Sequence, residues 1–233
     1  MINHLEDLIL TIIVLLAAGI SPNLYVVAQA GYAKLSTLAV NALLPSVAVV
    51  FAVLAFLSVR GYTNLLAQIG YGLIGGLLAT IGLEVIRHTG FVLGGMPGEM
   101  PKLMGVLLLD RFAQGPTWIS NLAGWGYHFW NGATFGIVIT LLFGKPRIWQ
   151  GTLIAILIGI GFMVSPATTA LGIGLFGLNF NIGFPLTVIL AHLVFGFILG
   201  WYLQQNPRPT ASIFQRIPII VYQRNSAEIS ARE

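Results

Sequence analysis

Hydrophobic and polar positions in this chain change over on the scale of whole helices. Six apolar stretches, Leu8 to Ala30, Leu38 to Val59, Leu65 to Ile86, Leu122 to Phe143, Ile148 to Ser165 and Phe184 to Leu203, are each bounded by polar, Gly or Pro residues. At a rise of ~1.5 Å per residue, about twenty such residues cross the ~30 Å hydrocarbon layer of a bilayer. The pattern predicts an all-α fold: a polytopic membrane helical bundle of about six transmembrane helices over residues 1–203, followed by a polar tail over 204–233. Pro22 and Pro45 fall inside the first two spans, where a missing backbone N–H predicts a bend.

Two connections are too apolar for hydrated loops. The stretch from Arg87 to Asn121 contains Met96-Pro97-Gly98 and then an apolar segment, Lys102 to Phe112, too short to cross. Pro166 to Gly183 carries no charge and is rich in Gly, Leu and Phe. Both predict apolar fold-backs against the helix ends.

These connections sit in corresponding places of a tandem repeat. One unit, about 65–143, carries Gly72, Gly76 and Thr80, then a fold-back, then His128-x-x-x-Gly132-x-x-x-Gly136. The other, about 148–203, carries Gly151, Ala155 and Gly159, then a fold-back, then His192-x-x-x-Gly196-x-x-x-Gly200. Each unit crosses twice, so the copies are parallel. Small residues four apart share one helix face and let backbones approach closely in lipid, which makes Gly72, Gly76, Gly132, Gly136, Gly151, Gly159, Gly196 and Gly200 the predicted packing positions.

Composition narrows the class. The 233 residues are 57% hydrophobic and 8% charged, against roughly a quarter charged in a soluble domain, which excludes a water-soluble fold. The absence of cysteine excludes disulfides, thiolate zinc sites and covalently attached haem. The net charge of +4 comes from loop and tail cations, which set orientation and give no nucleic-acid footprint. Arg60, Lys145, Arg147, Arg208, Arg216, Arg224 and Arg232 share one side, and Lys34, Arg87, Lys102 and Arg111 the other. The excess places both termini in the cytoplasm. The N-terminal sequence lacks a basic leader and reads as a retained first helix.

The candidate chemistry is sparse. His128 and His192 enter their spans from the same side to a matched depth of ~9–12 Å. Imidazoles there bond a neighbouring carbonyl or hydroxyl, line a proton or solute pathway, or bind a cofactor as axial ligands of a b-type haem. Glu84, Arg87, His88, Asp110 and Arg111 gather at the outer ends as interfacial ion pairs or a polar vestibule. Metal binding would require Glu84, His88, His128 and His192 to converge, and no metal is expected. Trp118, Trp125, Tyr127, Trp130, Trp149 and Trp201 read as aromatic belts, and Ile217 to Tyr222 as a docking patch in the tail. No nucleophile–base pair or phosphate loop occurs, so the protein is not expected to be an enzyme.

At the paired His-x-x-x-Gly-x-x-x-Gly helices, with Met96-Pro97 to Asp110-Arg111 between them, the chain resembles uncharacterised bacterial multi-pass inner-membrane proteins of the YagU type, over about Gly70 to Leu203. The resemblance implies a bacterial inner-membrane location and brings no activity with it. The leading expectation is a non-enzymatic subunit or scaffold whose partners are the lipid bilayer and other membrane protein subunits. The alternatives are a small channel or carrier for an ion or neutral solute, and a b-haem electron-transfer protein.

Overall fold

The computed structural model describes residues 4–217. Among the described residues there are no strands, and six long helices carry the fold: α1 (His4–Gln29), α2 with α3 (Leu35–Leu38 and Leu44–Arg60, joined by a π-helical turn, Ala39–Leu43), α4 (Thr63–Val92), α6 (Trp118–Phe143), α7 (Ile148–Met163) and α9 (Gly183–Gln204). Short helices α5 (Met100–Leu108) and α8 (Pro166–Ala170) lie in the connections. Five of the long segments are long and apolar enough to cross a membrane, with α7 and α8 counted as one. The sixth, α6, matches them in length but carries Asn121, His128 and Asn131, and bundle neighbours on several sides shelter it.

Boundaries differ from the apolar pattern where capping or packing overrides hydropathy. Helix α4 runs to Val92 and not to Ile86, so Glu84, Arg87 and His88 lie within the helix. Helix α6 starts at Trp118 and not at Leu122, because Thr117 and Ser120 form a reciprocal capping box. Pro45 does not interrupt its span: it sits in the first turn of α3, directly after the π-helical turn that relaxes the ladder. Pro22 remains interior to α1.

The six helices form two hairpins and a flanking pair. Helix α4 packs antiparallel on α6, and α7 on α9, with α4 also packed along α9. Helices α1 and α3 cover the outer face of α6 and α4. The glycines set the hairpin register. A methyl added at Gly76 would run into the carbonyl of Gly132, and one added at Gly136 into that of Gly72. In the second hairpin Gly196 faces Gly151 and Ala155, and Gly200 lies against Ile148. In lipid, where apolar side chains gain little by leaving the solvent, such backbone contact supplies the van der Waals and Cα–H terms that hold helices together.

The first fold-back does the same on a smaller scale. Gly105 of α5 meets the backbone at Ser120, and Gly124 of α6 meets that at Pro101, which seats α5 flat on α6. Met100 and Met104 are thereby buried beside α1. The second fold-back holds only the five-residue α8 and a 3-10 turn at Leu175–Gly177.

The end of the bundle that holds His4 and Ile217 is tied by polar contacts. Arg216 pairs with Asp7 and donates to Gln68 Oε1 at 2.8 Å. Gln68 Nε2 donates to the carbonyls of Thr140 at 2.6 Å and Ala211 at 3.1 Å. Lys145 caps the carbonyl of Asn206, and Tyr62 donates to Glu6 at 2.5 Å. The predicted docking patch from Ile217 to Tyr222 falls outside the described residues except for Ile217 itself.

Candidate functional site

The antiparallel register carries the two histidines to equivalent places. The register that faces Gly72 to Gly136 and Gly76 to Gly132 puts Thr80 opposite His128. In the second hairpin it puts Gly159 opposite His192, and a methyl on Gly159 would stand 2.8 Å from the imidazole ring. The residue types at these matched positions make the histidines different. Thr80 fills the space next to Gly132, and His128 meets Glu84, one turn further along α4. Gly159 leaves a slot, and His192 lies in it.

Glu84 Oε1 stands 2.8 Å from His128 Nε2 and 2.7 Å from Arg87 Nη1. The carboxylate lies off the axis of the ring N–H, so its contact with His128 is an electrostatic approach and not an aligned hydrogen bond. The three side chains are only 10–13% exposed. A buried guanidinium and carboxylate persist because each compensates the other. His192 bonds Val188 O through Nδ1 at 2.8 Å, which leaves Nε2 free. The repeat position that corresponds to Glu84 is Met163, 1% exposed, so His192 has no carboxylate companion from α7.

Both rings line one cavity of about 490 Å³. Its walls come from α1 (Pro22, Asn23, Tyr25), α4 (Thr80, Leu83, Arg87), α5 (Met100, Met104), α6 (His128, Asn131, Phe135), α7 (Ile158, Gly161, Phe162) and α9 (Val188, His192, Phe195). The cavity has a structural cause. Helix α4 packs closely on α9, whereas the repeat-related pair α6 and α7 does not close, and α1 leans over the open seam. Helix α1 is fixed there by Ser21, whose hydroxyl donates to Asn131 Oδ1 at 2.6 Å and whose carbonyl accepts from Tyr127 at 2.8 Å.

His128 lies ten residues past Trp118 and His192 nine past Gly183. Both are thus about 14–15 Å along their helices, deeper than the apolar pattern alone implies. Of the predicted outer cluster, Arg87 lines the cavity, and Glu84 stands behind it in contact with Arg87 and His128. His88 and Arg111 are exposed elsewhere, and Asp110 pairs with Lys34 at 2.8 Å in the open. Among the described residues no three His, Asp or Glu side chains gather as metal ligands. A b-type haem would draw one nitrogen from each imidazole; His128 Nε2 stands 2.8 Å from Glu84 Oε1, and His192 Nε2 is free.

Two features carried little signal in the sequence. Pro22, Asn23 and Tyr25 make α1 a cavity wall and Ser21 anchors it, and a Ser-Pro-Asn run inside an apolar span was the available hint. Gln68, fully buried at the other end, was the second polar residue to ask about.

The fold and its lining define an all-α membrane bundle with an internal, mostly apolar cavity. Residues 66–212 match the model of a family of unknown function, DUF6789, and the chain belongs to that family. The match begins in the first turn of α4 and ends beyond α9, so it covers both hairpins and leaves out α1 and α3. No curated protein matches, no solved structure matches, and no match links the chain to the YagU-type proteins.

Proposed function

We propose that the protein is a small non-enzymatic membrane carrier that holds a neutral solute in the cavity between its hairpins. The observation that carries this reading is the convergence of His128, His192, Arg87 and Asn131 on one cavity with mostly apolar walls. Concave, mostly apolar sites with a few converging polar groups are the usual form of small-molecule sites, and about 300–1,000 Å³ is their usual size. The Glu84–Arg87 pair contributes no net charge, so the site favours a neutral occupant. His192 Nε2 and the Asn131 side chain are the groups placed to orient it. A scaffold needs no such interior. We take the location as a bacterial inner membrane with both termini cytoplasmic, which the loop cations favour.

The test is purification in mild detergent from the native host, followed by mass spectrometry of extracted small molecules. A neutral compound should accompany the wild type and be lost from His192→Ala at unchanged yield. Stoichiometric recovery of other membrane proteins, with an empty cavity, would return the choice to the scaffold.

A further inference from the structure

The cavity's opening says what kind of molecule enters it. Of its lining residues, Asn23 on α1 and Gly161 on α7 are exposed, and the rest are buried or half-buried. These two helices flank a gap. Helix α1 packs on α3, α6 and α8, and helix α7 on α9; α1 meets the α7 span mainly past its end, through α8 and Phe162, which leaves the stretch before it open. Asn23 lies fifteen residues past Leu8 and Gly161 thirteen past Ile148. Counted from these first apolar residues, both stand about 20–22 Å along spans that cross ~30 Å of hydrocarbon.

The gap is edged by small residues. Nothing lies within 4 Å of where a methyl would be on Gly19 or Gly161, in contrast to the hairpin glycines, whose methyls would strike backbone. Glycines that make no close contact in a helix interior forgo helix propensity without a packing return. Here they leave the cavity mouth unobstructed.

We propose that the cavity is entered sideways from the bilayer, through the gap between α1 and α7, and that its ligand is a lipid-soluble neutral compound with a carbonyl or hydroxyl end. This rests on the reading above that the cavity binds a ligand. The polar end docks at Asn131 and His192, and the apolar body lies against Phe135, Ile158 and Phe162 on the way to the gap. A water-soluble solute would have to cross hydrocarbon to reach this mouth, which its hydration opposes.

The chain has no cysteine, so a single nitroxide on Phe135→Cys, in lipid vesicles, reports what reaches the cavity. Ile158→Cys provides an independent site should the first variant fold poorly. Oxygen, which concentrates in hydrocarbon, should collide often with the label, and a water-soluble nickel chelate should not. Adding Gly161→Phe should cut the oxygen collision rate several-fold, and decanol should do the same by occupancy where glycerol does not.

Frequent nickel collisions with protection by glycerol would overturn the lateral route while leaving a ligand-binding cavity. Oxygen access unchanged by Gly161→Phe would overturn the α1–α7 route in the same way. A label reached by neither reagent would sink both readings together.

Discussion

At the residue scale, glycine plays two opposite parts in this molecule, and substitution separates them. Gly76→Ala places a methyl in the carbonyl of Gly132, where neither backbone can yield without parting α4 from α6. Overpacking of this kind costs about 1–3 kcal/mol, and more when backbone is the obstacle. Gly161→Ala, in the last turn of α7, meets nothing, and removing a glycine from a helix contributes up to about 0.5–1 kcal/mol. Thermal unfolding in detergent should therefore show a lowered midpoint for the first and an equal or raised one for the second. Equal losses from both would mean that the hairpin seam is not set by backbone contact. Glu84→Gln probes the other buried feature. It leaves the Arg87 guanidinium without its counter-ion, a change worth about 3–5 kcal/mol at a buried pair. Glu84→Gln with Arg87→Met should recover much of the lost midpoint. The sequence displayed both glycines and the Glu84–Arg87 spacing, and it aligned His128 with His192. It gave no sign that Thr80 and Gly159, at matched positions, steer the two rings to different neighbours.

At the scale of elements, hydrophobic runs located every long helix to within a few residues because lipid leaves so few options for the backbone. They erred where polar chemistry decides the boundary, at the Thr117–Ser120 cap and at the last turns of α4. They were also silent on how the tail closes the bundle, since Arg216 reaches Asp7 across nearly the whole chain. Arg216→Ala strands Asp7 and opens the Gln68 network, so its unfolding midpoint should fall clearly, whereas Arg208→Ala, at a position outside that network, should change little. A similar drop in both would assign the tail a diffuse electrostatic role. The turn between α3 and α4 offers a pH test. Tyr62 donates to the Glu6 carboxylate, and that bond holds its phenol above the ordinary tyrosine pKa. A raised folded pKa means the tie is intact below pH ~10 and is lost as pH climbs through the higher folded value. In an ultraviolet tyrosinate titration Tyr62→Phe should remove one of the late-ionising tyrosines and leave the early phase unchanged. Loss of an early-ionising residue in its place would show that the Glu6 bond does not raise the Tyr62 phenol.

At the scale of the whole molecule, the cavity arises from a symmetry left incomplete. Two equivalent hairpins would bury α6 against α7 as fully as α4 against α9; here only the latter seam closes, and α1 is drawn over the former. The chain thus divides into a duplicated core, which the family match covers, and an added pair, α1 with α3, of which α1 completes the wall. Membrane helices insert singly and associate afterwards, so a break in the α3–α4 turn need not prevent assembly. Co-expression of residues 1–61 and 62–233 as separate chains should yield a complex that purifies on a tag carried by either. Fragment 62–233 alone should insert but unfold at a lower temperature, because Asn131 loses Ser21 and Arg216 loses Asp7. Ser21→Ala combined with Asp7→Asn in the shorter fragment should weaken the pairing most at the two ends where those side chains act. Should the larger fragment prove as stable alone as within the complex, α1 would be a passive neighbour, and the cavity would have to be explained by the hairpins themselves.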